Sequence, residues 1–98
     1  MTVTEIQHVE DCFDGSFIKE FFLDETITEP FIRYLGKDKK LEYFPEFARP
    51  FFRIIAEDEY MIKGIEENRY VKVIIFPSAE KDIIEQIRAY INKFHSFV

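Results

Sequence analysis

Between residues 51 and 76 three apolar-rich runs follow one another with almost no chain between them. They cover 51–57, 60–66 and 69–76, and only Asp58-Glu59 and Glu67-Asn68 separate them. Short runs rich in Ile, Val, Phe and Tyr, bounded by polar pairs, are strands joined by tight turns. A two-residue break leaves no room for a crossover, so the three strands must be antiparallel neighbours. With Glu67-Asn68 in the turn, Glu66 pairs with Arg69, Gly64 with Val71, Lys63 with Lys72 and Ile62 with Val73. That register sets Tyr60, Ile62, Val71, Val73 and Ile75 on one face, a coherent core side.

The chain then changes period. Pro77 lacks the N–H that a ladder needs and stops the sheet. Ser78 reads as an N-cap, and Glu80 and Asp82 suit the positive end of a helix. Ile83, Ile84, Ile87, Tyr90, Ile91 and Phe94 fall at helical spacing, with Glu85, Arg88, Asn92 and Lys93 opposite. This helix is expected to lie on the apolar face of the sheet, since nothing else in the chain reads as able to cover it.

Upstream the reading is less constrained. Asp14-Gly15 is turn chemistry, and residues 17–23 read as a strand with Phe17, Phe21 and Leu23 on one face. Residues 31–35 and 41–44 read as strands flanking a hairpin loop, Gly36-Lys37-Asp38-Lys39-Lys40. Pro45 and Pro50 bracket a loop or a break in an edge strand. Residues 2–12 are read as a short helix, because Thr4 and Gln7 resemble a capping box and Ile6, Val9 and Phe13 sit at roughly helical spacing. Val3 and the threonines fit a strand equally well. The expected class is α+β: a single domain over residues 1–98, with an antiparallel meander of five to six strands packed against one C-terminal amphipathic helix.

Composition excludes several classes. A chain that is 47% hydrophobic, with 12 Phe and 5 Tyr, has the apolar content to fold. No apolar run approaches the roughly 18 residues of a membrane helix. Residues 1–16 lack the basic start and apolar stretch of a signal peptide. Cys12 is the single cysteine, so no internal disulfide forms, and a cytoplasmic setting is expected. Residues 1–30 hold eight acidic groups and one lysine, a net of −7, and the rest of the chain is at +1. That balance argues against non-specific nucleic-acid binding, which needs cations along a face. Neither nucleic acid nor membrane is expected as a partner.

No catalytic or metal motif emerges. His8 and Cys12 are four apart and would share a helix face, but structural zinc wants four ligands and the sequence offers no further pattern. Ser16, Ser78 and Ser96 sit in no nucleophile motif, and three glycines make no phosphate-cradling loop. Lys37, Lys39 and Lys40 read as a solvated loop tip, and the carboxylates of 57–59 and 66–67 as solvated turns. No cofactor is expected.

One pattern stands out. Five expected strands each place a basic residue between two apolar ones: Phe17-x-Lys19-x-Phe21, Phe31-x-Arg33-x-Leu35, Phe51-x-Arg53-x-Ile55, Met61-x-Lys63-x-Ile65 and Tyr70-x-Lys72-x-Ile74. If these lie on the outer face, that face is apolar and aromatic with a basic row through it. Lys19 fits least well, because Phe21 and Leu23 beside it look like core. The candidate binding residues are therefore Arg33, Arg53, Lys63 and Lys72. Long basic stems covering the outer side of a sheet would give the same pattern with no ligand involved. The expected function is a small non-catalytic binding or protein-interaction module using this face, with self-association one way to cover it. The alternative is a binder of a small anionic amphipathic ligand, with enzymatic chemistry as an extension of it.

Overall fold

The computed structural model describes residues 1–95. In chain order its elements are β1 (Val3–Asp11), β2 (Phe17–Leu23), α1 (Glu29–Leu35), β3 (Lys40–Phe44), β4 (Phe51–Ala56), β5 (Tyr60–Ile65), β6 (Tyr70–Ile75) and α2 (Ile83–Asn92). The strands form one six-stranded antiparallel sheet in the order β1-β2-β6-β5-β4-β3. The class is α+β, as expected. A meander runs from β3 to β6, and the β1–β2 hairpin then attaches through β2 to β6.

The β5–β6 register is the one read from the turn, with Ile62 opposite Val73 and Lys63 opposite Lys72. Both turns of this region use a left-handed residue, Asp58 at φ 64° and Glu67 at φ 76°. The second is strapped from outside: Ile27 N–H donates to the Asn68 carbonyl at 2.9 Å, and Glu67 N–H donates to the Ile27 carbonyl at 2.8 Å. Ile27 is thereby held fully buried.

Two segments differ from expectation. Residues 2–12 are a strand, not a helix. The β1–β2 register shifts between Val3 and Glu5 and again between His8 and Glu10. Each β-bulge inserts one residue, so inward positions fall at Val3, Ile6, His8 and Asp11. Of the residues at helical spacing only Ile6 points inward; Val9 is the residue inserted at the second bulge and Phe13 lies in the turn, both exposed. Residues 31–35 are helix, not strand. Pro30 sits in the first turn of α1, where its missing N–H costs nothing and its φ is already suitable. Phe31, Ile32 and Leu35, at i, i+1 and i+4, are buried. Arg33 Nε donates back to Glu29 Oε2 at 2.9 Å, one turn away.

The core lies between one face of the sheet and both helices. Phe21, Leu23, Phe52, Ile54, Ile62, Val71, Val73 and Ile75 line the sheet side, and Phe31, Ile32, Leu35, Ile83, Ile87 and Ile91 the helix side. The expectation that α2 alone covers the sheet is thus corrected: α1 shares the task. The helices are joined by a reciprocal clasp. Tyr34 Oη donates to the Tyr90 carbonyl, Tyr90 Oη donates to the Tyr34 carbonyl at 2.8 Å, and the rings stack 4.4 Å apart. The apolar stripe of α2 is the expected one, but the helix begins at Ile83, with Asp82 as its cap residue. Ser78 instead spends its hydroxyl on the Asp58 carbonyl, joining the β4–β5 turn to the segment after β6.

Gly64 shows how tightly this layer is packed. A Cβ there would sit 2.7 Å from Phe52 Cζ and 3.2 Å from Val71 Cγ1, so no larger residue fits without moving the core.

Candidate binding face

Alternation along each strand puts the other set of side chains on the outer face, and the register aligns them in three rows. The middle row crosses all six strands as Gln7, Glu20, Lys72, Lys63, Arg53 and Glu42, each opposite the next. On one side of it runs an apolar row containing Phe22, Tyr70, Ile65, Phe51 and Phe44. On the other side runs Ile18, Ile74, Met61 and Ile55. None of these outer apolar residues packs against the core cluster.

Three of the expected basic residues, Arg53, Lys63 and Lys72, are therefore neighbours on one face. The other two are not there. Arg33 is on α1, where it pairs with Glu29 and lies 5.7 Å over the Tyr43 ring. Phe31 and Leu35, expected beside it on the outer face, are core. Lys19 points to the inner side of β2, opposite Val73 and His8, with its Nζ 5.5 Å over the Phe17 ring. The basic loop also divides: Lys39 sits 5.0 Å over the Tyr90 ring, and Lys40 lies at the outer edge opposite Ile55. His8 lies in β1 and Cys12 just past its end, and four residues of extended chain hold them about 13 Å apart.

The charges of the middle row are unequal in their partners. Arg53 grips Glu42 Oε1 with Nε at 2.6 Å and Nη2 at 2.5 Å. Lys63 and Lys72 are both exposed, and among the described residues neither forms an ion pair. Like charges directly opposite on neighbouring strands repel. With Glu42 on Arg53 and Glu20 opposite Lys72, the row keeps a net of one positive charge, centred on the Lys63 and Lys72 pair.

A cleft of about 500 Å³ opens over this region. Its floor is the β5 backbone at Gly64 and the Ile65 side chain. Phe51 and Tyr70 form apolar walls, and Arg53, Lys63 and Lys72 line one side. Arg49, from the β3–β4 connection, closes the other end beside Asn68, to which its Nη2 donates at 3.4 Å. Among the described residues no carboxylate lines the cleft. Aromatic surface continues beyond one wall: Phe44 stacks on Phe51 at 4.7 Å and on Phe47 at 5.7 Å, and Phe47 is half exposed. Beyond the other, Phe22 lies 5.8 Å from Tyr70. A larger hollow of about 770 Å³ near Ile55 has three carboxylates, Asp38, Glu57 and Glu59, against Lys39 and Lys40, so its charges largely cancel.

Sequence reading missed Arg49, Glu20 and Glu42 as members of this face. The glutamates were legible in principle, since each sits between two inward apolar or stem residues of its strand. Arg49 was not, because only the fold of the 45–50 connection brings it to the cleft.

Away from the face, two tyrosines are perturbed most. Tyr43 is pushed up to about 12, first by its hydrogen bond to Glu66 and then by burial. Tyr60 is also pushed up to about 12, chiefly by burial.

No helix among the described residues is long and apolar enough to cross a membrane. Compared with family models, curated proteins and solved structures, the chain matches none.

Proposed function

We propose that the protein is a non-catalytic binding module that works through the outer face of its sheet, and that its partner is anionic with apolar groups beside the charge. The observation that carries this reading is the row Lys72, Lys63, Arg53 set between two apolar rows, with both lysines unpaired among the described residues. Among the described residues no histidine, cysteine, serine or carboxylate lines the cleft, so it offers binding groups rather than a nucleophile with its base.

Two of the face-to-face arrangements open to a second copy set like charges together. A face-to-face twofold along the strands, centred between β5 and β6, sets Lys63 of one copy on Lys72 of the other. A twofold along the row sets each lysine on its own counterpart. Burying like charges without partners costs several kcal/mol per ion.

The test is a titration of isotope-labelled protein with a short end-capped peptide that carries one Glu between leucines, against the same peptide carrying Lys for Glu. The acidic peptide is expected to move amide signals of β4, β5 and β6, and the basic one to leave them in place. Equal responses, or none, overturn the proposal.

A further inference from the structure

Resting on that reading, we infer that the cleft over β4, β5 and β6 is a site for a small amphipathic anion with one head group, a free carboxylate or phosphate. The head group sits between the Nζ atoms of Lys63 and Lys72, and the apolar body lies on Ile65 between the Phe51 and Tyr70 rings.

The number of free cations sets the head group. Arg53 is already neutralised by Glu42 through two contacts, and Arg49, which keeps its charge while donating to the neutral Asn68 amide, lies outside the row. Lys63 and Lys72 remain. As direct cross-strand partners their Cα atoms are about 5 Å apart, so their flexible stems can bring both ammonium groups to one oxyanion. Each lysine supplies three donors, enough for the oxygens of a single carboxylate or phosphate.

The glutamates set the limit on charge. Glu20 lies directly beyond Lys72, and Glu42 directly beyond Arg53. A ligand with a second negative group further along the row would meet one or the other. The row therefore admits one anionic group and repels a string of them, which separates a small ligand from a strongly acidic chain.

The walls set the body. Small-ligand sites are typically hollows of about 300–1,000 Å³ with mostly apolar walls and a few placed polar groups. This cleft falls in that range, and its apolar floor leads away from the lysines toward Arg49. A chain or flat ring attached to the head group covers Ile65 and the faces of Phe51 and Tyr70, surface that is otherwise left to water.

The experiment is a calorimetric and amide-shift titration of the protein with decanoate, decyl phosphate and decyltrimethylammonium, each kept below its micelle concentration. The two anions are expected to bind and shift signals of β4, β5 and β6, and the cation is not. Lys63→Met with Lys72→Met keeps the apolar stems and is expected to weaken anion binding at least about tenfold, at an unchanged melting temperature or a higher one. Should that double variant fail to fold, Lys72→Glu alone is expected to produce a loss of the same sign. A stronger response to decyl phosphate than to decanoate identifies the head group as phosphate, and the reverse order as carboxylate. Equal binding of the cation, or unchanged binding by the lysine variants, overturns the inference. If the Glu-Leu peptide binds and neither small anion does, this inference fails while the binding-module reading stands. If nothing anionic binds, both fail.

Discussion

On the inner side of β4, Phe52 and Ile54 are fully buried, whereas on the outer side of the same strand Phe51 and Ile55 are only half covered. The two faces are made of similar residues at alternating positions, so local chemistry does not separate them. What separates them is coverage. Both helices and the Ile27 strap pack on one side. The outer side is left with aromatic rings, two lysines without an ion pair among the described residues, and the stems that partly shield its apolar rows. The inner face is expected to hold the fold together, and the outer one to tolerate changes of charge and shape without unfolding the chain.

The largest test of this contrast is a matched pair in β4. Phe52→Ala removes a fully buried ring and is expected to cost about 3–5 kcal/mol. Phe51→Ala, one residue away, is expected to cost near 1 kcal/mol. Urea unfolding of both variants compares them directly, and equal losses would show that the outer face is also structural.

A smaller effect is expected from filling the inner layer. Gly64→Val pushes a side chain into Phe52 and Val71 and is expected to cost about 1–3 kcal/mol or more. A neutral result there would mean that β5 and β4 can separate without loss.

Alkaline titration comes next. Tyr60 and Tyr43 each ionise near 12 in the folded chain against an ordinary value near 10. Folding thus favours the neutral phenol, and the stabilisation is complete below pH 10 and lost as pH climbs from 10 toward 12. Wild-type stability should fall across that window, and Tyr60→Phe, which cannot ionise, should fall less steeply. Parallel curves for the two proteins would exclude Tyr60 as a cause.

The smallest change is expected on the outer face. Lys72→Met removes one of three adjacent positive charges and keeps the stem, so stability should stay within about 0.5 kcal/mol, on the stabilising side if either. A loss beyond 1.5 kcal/mol, on the order of a core substitution, would break the division between the two faces.

How much of this was legible follows from how locally each feature is specified. The β5–β6 pairing was, because a two-residue break ties Lys63 to Lys72 before any long-range contact forms. So was the stripe of α2, since Ile83, Ile87 and Ile91 repeat over several turns. Arg33 was misplaced because the Phe31–Leu35 stretch alternates like a strand and is too short for its helical spacing to prevail. The signals pointing the other way, Pro30 in the first turn and Glu29 four residues before Arg33, are weak in isolation.

By itself, then, the sequence determined the antiparallel run from β4 to β6, the closing helix, and a basic residue at the centre of each of those three strands. Only the tertiary structure decided that β1 is a strand with two bulges, that residues 29–35 fold as a helix over the core, and that β2 lies against β6. The physical reason is that a bulge changes the period of a strand without changing its composition, and that pairing between β2 and β6 joins residues about fifty positions apart. No local pattern carries that information. It is fixed when the apolar sides of the hairpin, the meander and the helices find a single arrangement that buries them together.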